Sequence, residues 1–116
     1  MTIKELIYDA HKTAVLKGWW QGKARSPLDI AALIHSEISE FVECVRKPDP
    51  KDKDHGWHID LGSEGPTPVG PAVELADAII RIADYCGAMG WDMEHIVYAK
   101  MQYNAERPHR HGGKAY

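Results

Sequence analysis

No apolar run in the sequence is long enough to cross a bilayer. Its longest stretches, such as Ala78-Ile79-Ile80, span a few residues, against about 20 for a transmembrane helix. The opening Met1-Thr2-Ile3-Lys4-Glu5 lacks the apolar core and cleavage pattern of a secretory signal. Cysteine is scarce as well. Cys44 and Cys86 are too few for a disulfide scaffold and form no Cys-x-x-Cys pair, so a reduced, cytoplasmic protein is expected. Neither charge is in large excess: 14 Lys and Arg stand against 17 Asp and Glu, a net of -3. That balance argues against a dedicated nucleic-acid binder. Internal repeats are missing too. With 44% hydrophobic and 27% charged residues, the composition is that of an ordinary globular protein rather than a disordered one. At 116 residues, a single domain spanning 1–116 is expected.

What is present is helical punctuation. Thr2-Ile3-Lys4-Glu5 reads as a capping box. Ile3, Leu6, Ile7, Ala10, Ala14 and Val15 then recur at helical spacing, which predicts helix one over about 3–17, closed by Lys17 and Gly18. Trp19 and Trp20 follow in a connector. Ser26-Pro27 opens helix two, whose stripe of Ile30, Leu33, Ile34, Ile38, Phe41, Val42 and Val45 ends near Lys47-Pro48. Residues 47–71 hold five prolines and four glycines among many charges. They are expected to form a long loop with, at most, a short strand around Trp57–Leu61. Pro71 opens helix three, about 71–86, with Leu75, Ala76, Ile79, Ile82, Ala83 and Cys86 on one face and Gly87 and Gly90 ending it. Asp92 caps helix four, about 93–107, which Pro108 terminates. The tail, 108–116, is basic. Four helices with almost no strand signal predict an all-α fold.

Function should lie where this pattern breaks. Glu37 falls inside the apolar stripe of helix two, between Ile34 and Phe41, and Glu40 lies one turn on at its edge. A buried carboxylate is costly unless paired or bound to a cation. On helix three, Glu74, Asp77, Arg81 and Asp84 share the face opposite the apolar stripe. If the two helices pack together, Glu37/Glu40 and Glu74/Asp77 face each other as an all-oxygen cage suited to Mg²⁺ or Mn²⁺. A solvated acidic face, with Arg81 as an i, i+4 partner, is the alternative. Glu43 points away from the stripe and is read as solvent-facing. On helix four the stripe of Met93, Ile96 and Val97 continues as Lys100, Asn104 and Arg107, groups that suit a phosphate chain. The alternative there is a helix end that favours cations.

These residues resemble the MazG-like nucleoside triphosphate pyrophosphohydrolases of the all-α NTP pyrophosphatase superfamily. The family mark, Glu-x-x-Glu followed on a later helix by Glu-x-x-Asp, stands here as Glu37-Ile38-Ser39-Glu40 and Glu74-Leu75-Ala76-Asp77. The ending Lys100-Met101-Gln102-Tyr103-Asn104-Ala105-Glu106-Arg107-Pro108, with its His-Gly-Gly-Lys tail, is similar as well. The likeness covers roughly 26–46 and 72–114. The stretch 41–73 between the two motifs is longer than the family usually shows, which bears on substrate choice more than on the metal site.

The resemblance implies a four-helix MazG-like bundle completed by oligomerisation into a homodimer or homotetramer, with sites at subunit contacts. It implies Mg²⁺-dependent hydrolysis of a (deoxy)nucleoside triphosphate to the monophosphate and pyrophosphate. Glu37, Glu40, Glu74 and Asp77 would be the catalytic and metal-binding residues, with Glu40 the candidate general base. Lys100, Asn104 and Arg107 would bind phosphate or ribose, with Arg110 and Lys114 as further candidates for that role.

Trp19, Trp20 and Trp57 are candidates for stacking on a base, although adjacent tryptophans in a connector more often close a core or an oligomer contact. His55, His58, His109 and His111 complete no tetrahedral set and are expected to be exposed. Two other readings compete. A non-catalytic helical oligomer, acting as an interaction module, would use the carboxylates only as a polar face. A di-iron bundle would need Glu-x-x-His pairs, which neither motif supplies. Charge along the chain favours the enzyme: residues 100–114 carry a net of +3, leaving -6 for the remainder.

Overall fold

A computed structural model describes residues 1–22 and 25–108. It contains four helices, α1 (Ile3–Leu16), α2 (Pro27–Arg46), α3 (Pro71–Met89) and α4 (Met93–Glu106). Between α2 and α3 lie a 3₁₀ turn at Pro50–Asp52 and an antiparallel hairpin, β1 (His58–Gly62) with β2 (Gly65–Val69). The chain is thus mostly helical, with a small two-stranded sheet inside the expected loop: β1 falls at the short strand expected around Trp57–Leu61, and β2 is additional.

The helix starts follow local chemistry. At α1 the Glu5 amide donates to Thr2 Oγ1 (3.0 Å) and the Thr2 amide donates to Glu5 Oε1 (3.1 Å), the reciprocal capping box. At α2 the Asp29 amide donates to Ser26 Oγ at 3.0 Å, and Pro27 occupies the first helical position, where no N–H is required.

The start of α3 is different. Its cap is Gly70, with no side-chain cap bond, and the free Ala72 amide donates instead to the Gly56 carbonyl at 2.9 Å. Gly70 has φ +128°, and a Cβ there would meet the Gly56 oxygen at 2.7 Å and Asp52 Oδ1 at 2.8 Å. The loop is therefore clasped onto the start of α3 by a backbone approach that only glycine permits.

The end of α3 corrects an expectation. Gly87 does not stop the helix, which continues to Met89 and closes at Gly90 in the left-handed conformation. A Cβ on Gly87 would lie 2.7 Å from the Cβ of His11. The glycine marks the close crossing of α1 over α3.

Helix α3 is central, with α2 on one side and α1 on another, and α4 touches α1. The buried core consists of small or medium side chains: Ala14, Ile30, Ala78, Ala83 and Cys86. Among the described residues no large side chain is fully enclosed. The radius of gyration is 17.1 Å, against roughly 13 Å for a compact chain of this length. Two apolar rows stay exposed: Ile38, Val42 and Val45 on α2, and Leu75, Ile79 and Ile82 on α3. No helix among the described residues is long and apolar enough to cross a membrane.

Candidate metal centre

The packing of α2 on α3 brings Glu37 of the first acidic motif against Glu74 and Asp77 of the second. Glu37 stands at the apolar stripe of α2 and is only 9% exposed. Across from it, Glu74 and Asp77 occupy successive turns at the start of α3 and are half-buried. Each of the three offers a carboxylate oxygen, and these oxygens all lie within 4.8 Å of one another. Glu40, one turn further along α2, is exposed and stands outside this group of three. Its charge nonetheless bears on Glu74.

Crowding of like charges shapes the site. Burial pushes the Glu74 carboxyl up to about 7, helped by the Glu40 charge, a hydrogen bond shared with Glu37, and the charges of Asp77 and Glu37. Burial also raises Asp77, reinforced by Glu37 and Glu40 and partly opposed by the Arg81 guanidinium. Arg81, one turn beyond Asp77, donates from Nε to Glu37 Oε1 at 2.9 Å. Spacing alone suggests an i, i+4 partner for Arg81 on its own helix; its ion pair lies across the interface, on Glu37. The donor set is all oxygen and deficient in positive charge, which fits a hard divalent cation.

The loop adds a neighbour that periodicity could not place. His58 Nδ1 pairs with Asp52 Oδ1 at 2.6 Å, and both side chains are largely enclosed. His58 is thus held by a carboxylate rather than standing exposed. Burial raises the Cys44 thiol, with the charges of Glu74 and Asp52 next in effect, so the loop acid reaches the same end of the α2–α3 interface. A cavity of about 270 Å³ there is lined by Cys44, Asp49, Asp52 and Pro71. Glu43 is on the surface as expected, 3.7 Å from Arg46 and 3.9 Å from Lys47.

A second polar centre was missed. Asp84, grouped from spacing with the acidic face of α3, is 5% exposed and accepts from three side chains. His11 Nδ1 lies at 2.9 Å, Trp20 Nε1 at 2.8 Å and Arg25 Nη1 at 3.3 Å. The His11 ring meets Trp20 edge-on, and the Arg25 guanidinium sits 5.0 Å from the Trp20 ring centre. Trp20 is therefore engaged at its N–H and beside one ring face. The only advance signal was an aspartate two turns beyond Asp77 on the same face.

Helix α4 stands apart. Lys100 and Asn104 are exposed, and Lys100 and Arg107 lie 4.6 and 5.5 Å from the ring centre of Tyr103. The helix begins beyond the far end of α3, about 18 Å along its axis from Asp77 at 1.5 Å per residue. Within one chain, the carboxylates gather where α2 meets α3, while α4 makes its main contact with α1. Arg110 and Lys114 lie outside the described residues. A cavity of about 530 Å³ opens between α1 and the α3–α4 turn, lined by Tyr8, His11, Cys86 and Trp91 among others. None of the four motif carboxylates lines it.

No family model, curated protein sequence or solved structure matches this chain.

Proposed function

We propose that the protein is a Mg²⁺-dependent nucleoside triphosphate pyrophosphohydrolase of the MazG-like kind. It would hydrolyse a (deoxy)nucleoside triphosphate to the monophosphate and pyrophosphate. The observation that carries this reading is the convergence of Glu37, Glu74 and Asp77 within 4.8 Å across two facing helices. Their crowding, expressed in a Glu74 carboxyl near 7, calls for a cation. Glu37, Glu74 and Asp77 would hold Mg²⁺ or Mn²⁺, with Glu40 completing the set from the rim. When bound, the ion supplies Lewis acidity and neutralises phosphate charge.

The chain's own groups do the rest. Arg81 holds Glu37 in place through its Nε–Oε1 bond across the interface. Glu40, exposed and beside the cluster, is the candidate to take a proton from the attacking water. Lys100, Asn104 and Arg107 would reach phosphate or ribose from α4 of a neighbouring copy, since the main contact of α4 in its own chain is with α1 rather than with the two helices that carry the cluster. Assembly as a homodimer or homotetramer would cover the exposed rows on α2 and α3.

Pyrophosphate release from a panel of nucleoside and deoxynucleoside triphosphates with Mg²⁺ tests the proposal. Glu40→Gln and Asp77→Asn are each expected to lower turnover on the order of 100-fold. No turnover of any nucleotide, or full activity in both variants, would overturn it.

The same exposed rows favour a second reading, a helical oligomer without catalysis. On that reading Mg²⁺ leaves thermal stability unchanged and Glu37→Leu is tolerated.

A further inference from the structure

The hairpin has two edges of opposite chemistry. Its register pairs Ile59 with Pro68 and Leu61 with Pro66. Proline has no N–H, so these pairs cannot exchange ladder bonds. The bonds run instead through the alternate pairs, Asp60 with Thr67 and Gly62 with Gly65. Two consequences follow.

The outer edge of β2 lacks donors at Pro66 and Pro68, so it cannot offer a full ladder to another strand. On β1, the N–H and C=O groups of Ile59 and Leu61 point away from β2. Neither residue makes a backbone bond elsewhere among the described residues. The side chains agree with the backbone. Ile59 is 45% exposed and Leu61 79%, and with exposed Pro66 and Pro68 opposite them they form an apolar plate on one face.

We propose that the free edge of β1 is a docking site for an extended segment of another protein in which apolar residues alternate with lysine or arginine. Main-chain bonds to Ile59 and Leu61 would add a third strand. The apolar residues of the guest would sit beside Ile59 and Leu61 on the plate.

Charge selects the rest of the guest. A strand paired through Ile59 and Leu61 places one residue directly opposite Asp60 in a non-hydrogen-bonded pair, where side chains are closest. The surrounding segment is acidic, with Asp49, Asp52, Asp54, Asp60 and Glu64 against Lys51 and Lys53. A second copy is a poor guest: pairing β1 with itself so that Ile59 meets Leu61 puts Asp60 opposite Asp60.

Hydrogen exchange of the whole protein, with and without a short synthetic peptide alternating valine and lysine, tests this. The expected result is saturable protection of the Ile59 and Leu61 amides. Protection should vanish when the peptide amides facing β1 are N-methylated. Asp60→Lys should weaken binding of the lysine peptide by roughly fivefold and strengthen binding of a valine–glutamate peptide. Absence of protection, or binding indifferent to N-methylation or to charge reversal at Asp60, overturns the proposal. So does protection that appears without peptide as protein concentration rises, since that marks self-pairing.

Discussion

Arg81 grips Glu37 through Nε, at 2.9 Å, and not through the terminal fork of its guanidinium. The link crosses from α3 to α2 and gives the most enclosed carboxylate of the cluster a compensating charge. Removing one partner of such a pair leaves a charge without its counterpart, and that costs more than the pair itself contributes.

Arg81→Met is therefore expected to destabilise the protein by about 1–3 kcal/mol. Divalent cation should restore part of the loss by supplying the missing positive charge. Urea unfolding with and without Mg²⁺ measures both effects; an unchanged midpoint in the metal-free variant would refute the role given to Arg81.

The pH dependence of stability has a defined sign. Glu74 titrates near 7 when folded, against an ordinary 4.5. Between those values the folded chain keeps a proton that the unfolded chain has lost, so stability falls as pH rises from about 4.5 to about 7. Asp77, also raised, acts in the same direction. Thermal midpoints across that range should decline for this pair, and Glu74→Gln should flatten the decline. Saturating Mg²⁺ should flatten it as well, by displacing the proton.

Asp84 receives three donors in an enclosed setting. Asp84→Ala is expected to cost about 2–4 kcal/mol, since His11, Trp20 and Arg25 all lose their acceptor. Chemical denaturation gives the magnitude, and a shift in tryptophan emission reports the freed Trp20 indole. A cost under 0.5 kcal/mol, the range typical of surface substitutions, would mean that water replaces the carboxylate freely.

Gly87→Ala places a methyl group where His11 Cβ already stands 2.7 Å away. The gain in helix propensity, up to about 1 kcal/mol, is outweighed by forcing α1 off α3, and a net loss of about 1–2 kcal/mol is expected. A more stable variant would show that the crossing yields without strain.

Much of this was legible in the sequence, for identifiable reasons. Thr2, Ser26 and Asp92 announce helix starts because each offers a side-chain acceptor to a free amide. Glu37 stands out because a carboxylate interrupts an apolar stripe, and its burial follows from that position. The first strand of the hairpin was legible around Trp57–Leu61, but the second was obscured by its prolines: Pro66 and Pro68 suppress a strand signal, although they sit at positions that need no donor. Gly87 resembles a stop because a stop and a close crossing both select glycine. Asp84 could not be told from a solvent-facing acid, since its partners come from the distant His11, Trp20 and Arg25. The apolar row Leu75, Ile79 and Ile82 looked like a core face. In the single chain it points outward, because α2 and α1 occupy the other sides of α3.

The clasp at Gly70 has a consequence in time. The Ala72 amide is tied to the Gly56 carbonyl, and Glu74 lies two residues further along the same first turn. Releasing the loop uncaps that turn, so the loop cannot lift without loosening a member of the carboxylate cluster. Opening of the 47–70 segment and disordering of the cluster become one event. The exchange rate of a single backbone hydrogen, on Ala72, then acts as a clock for how often the site comes apart.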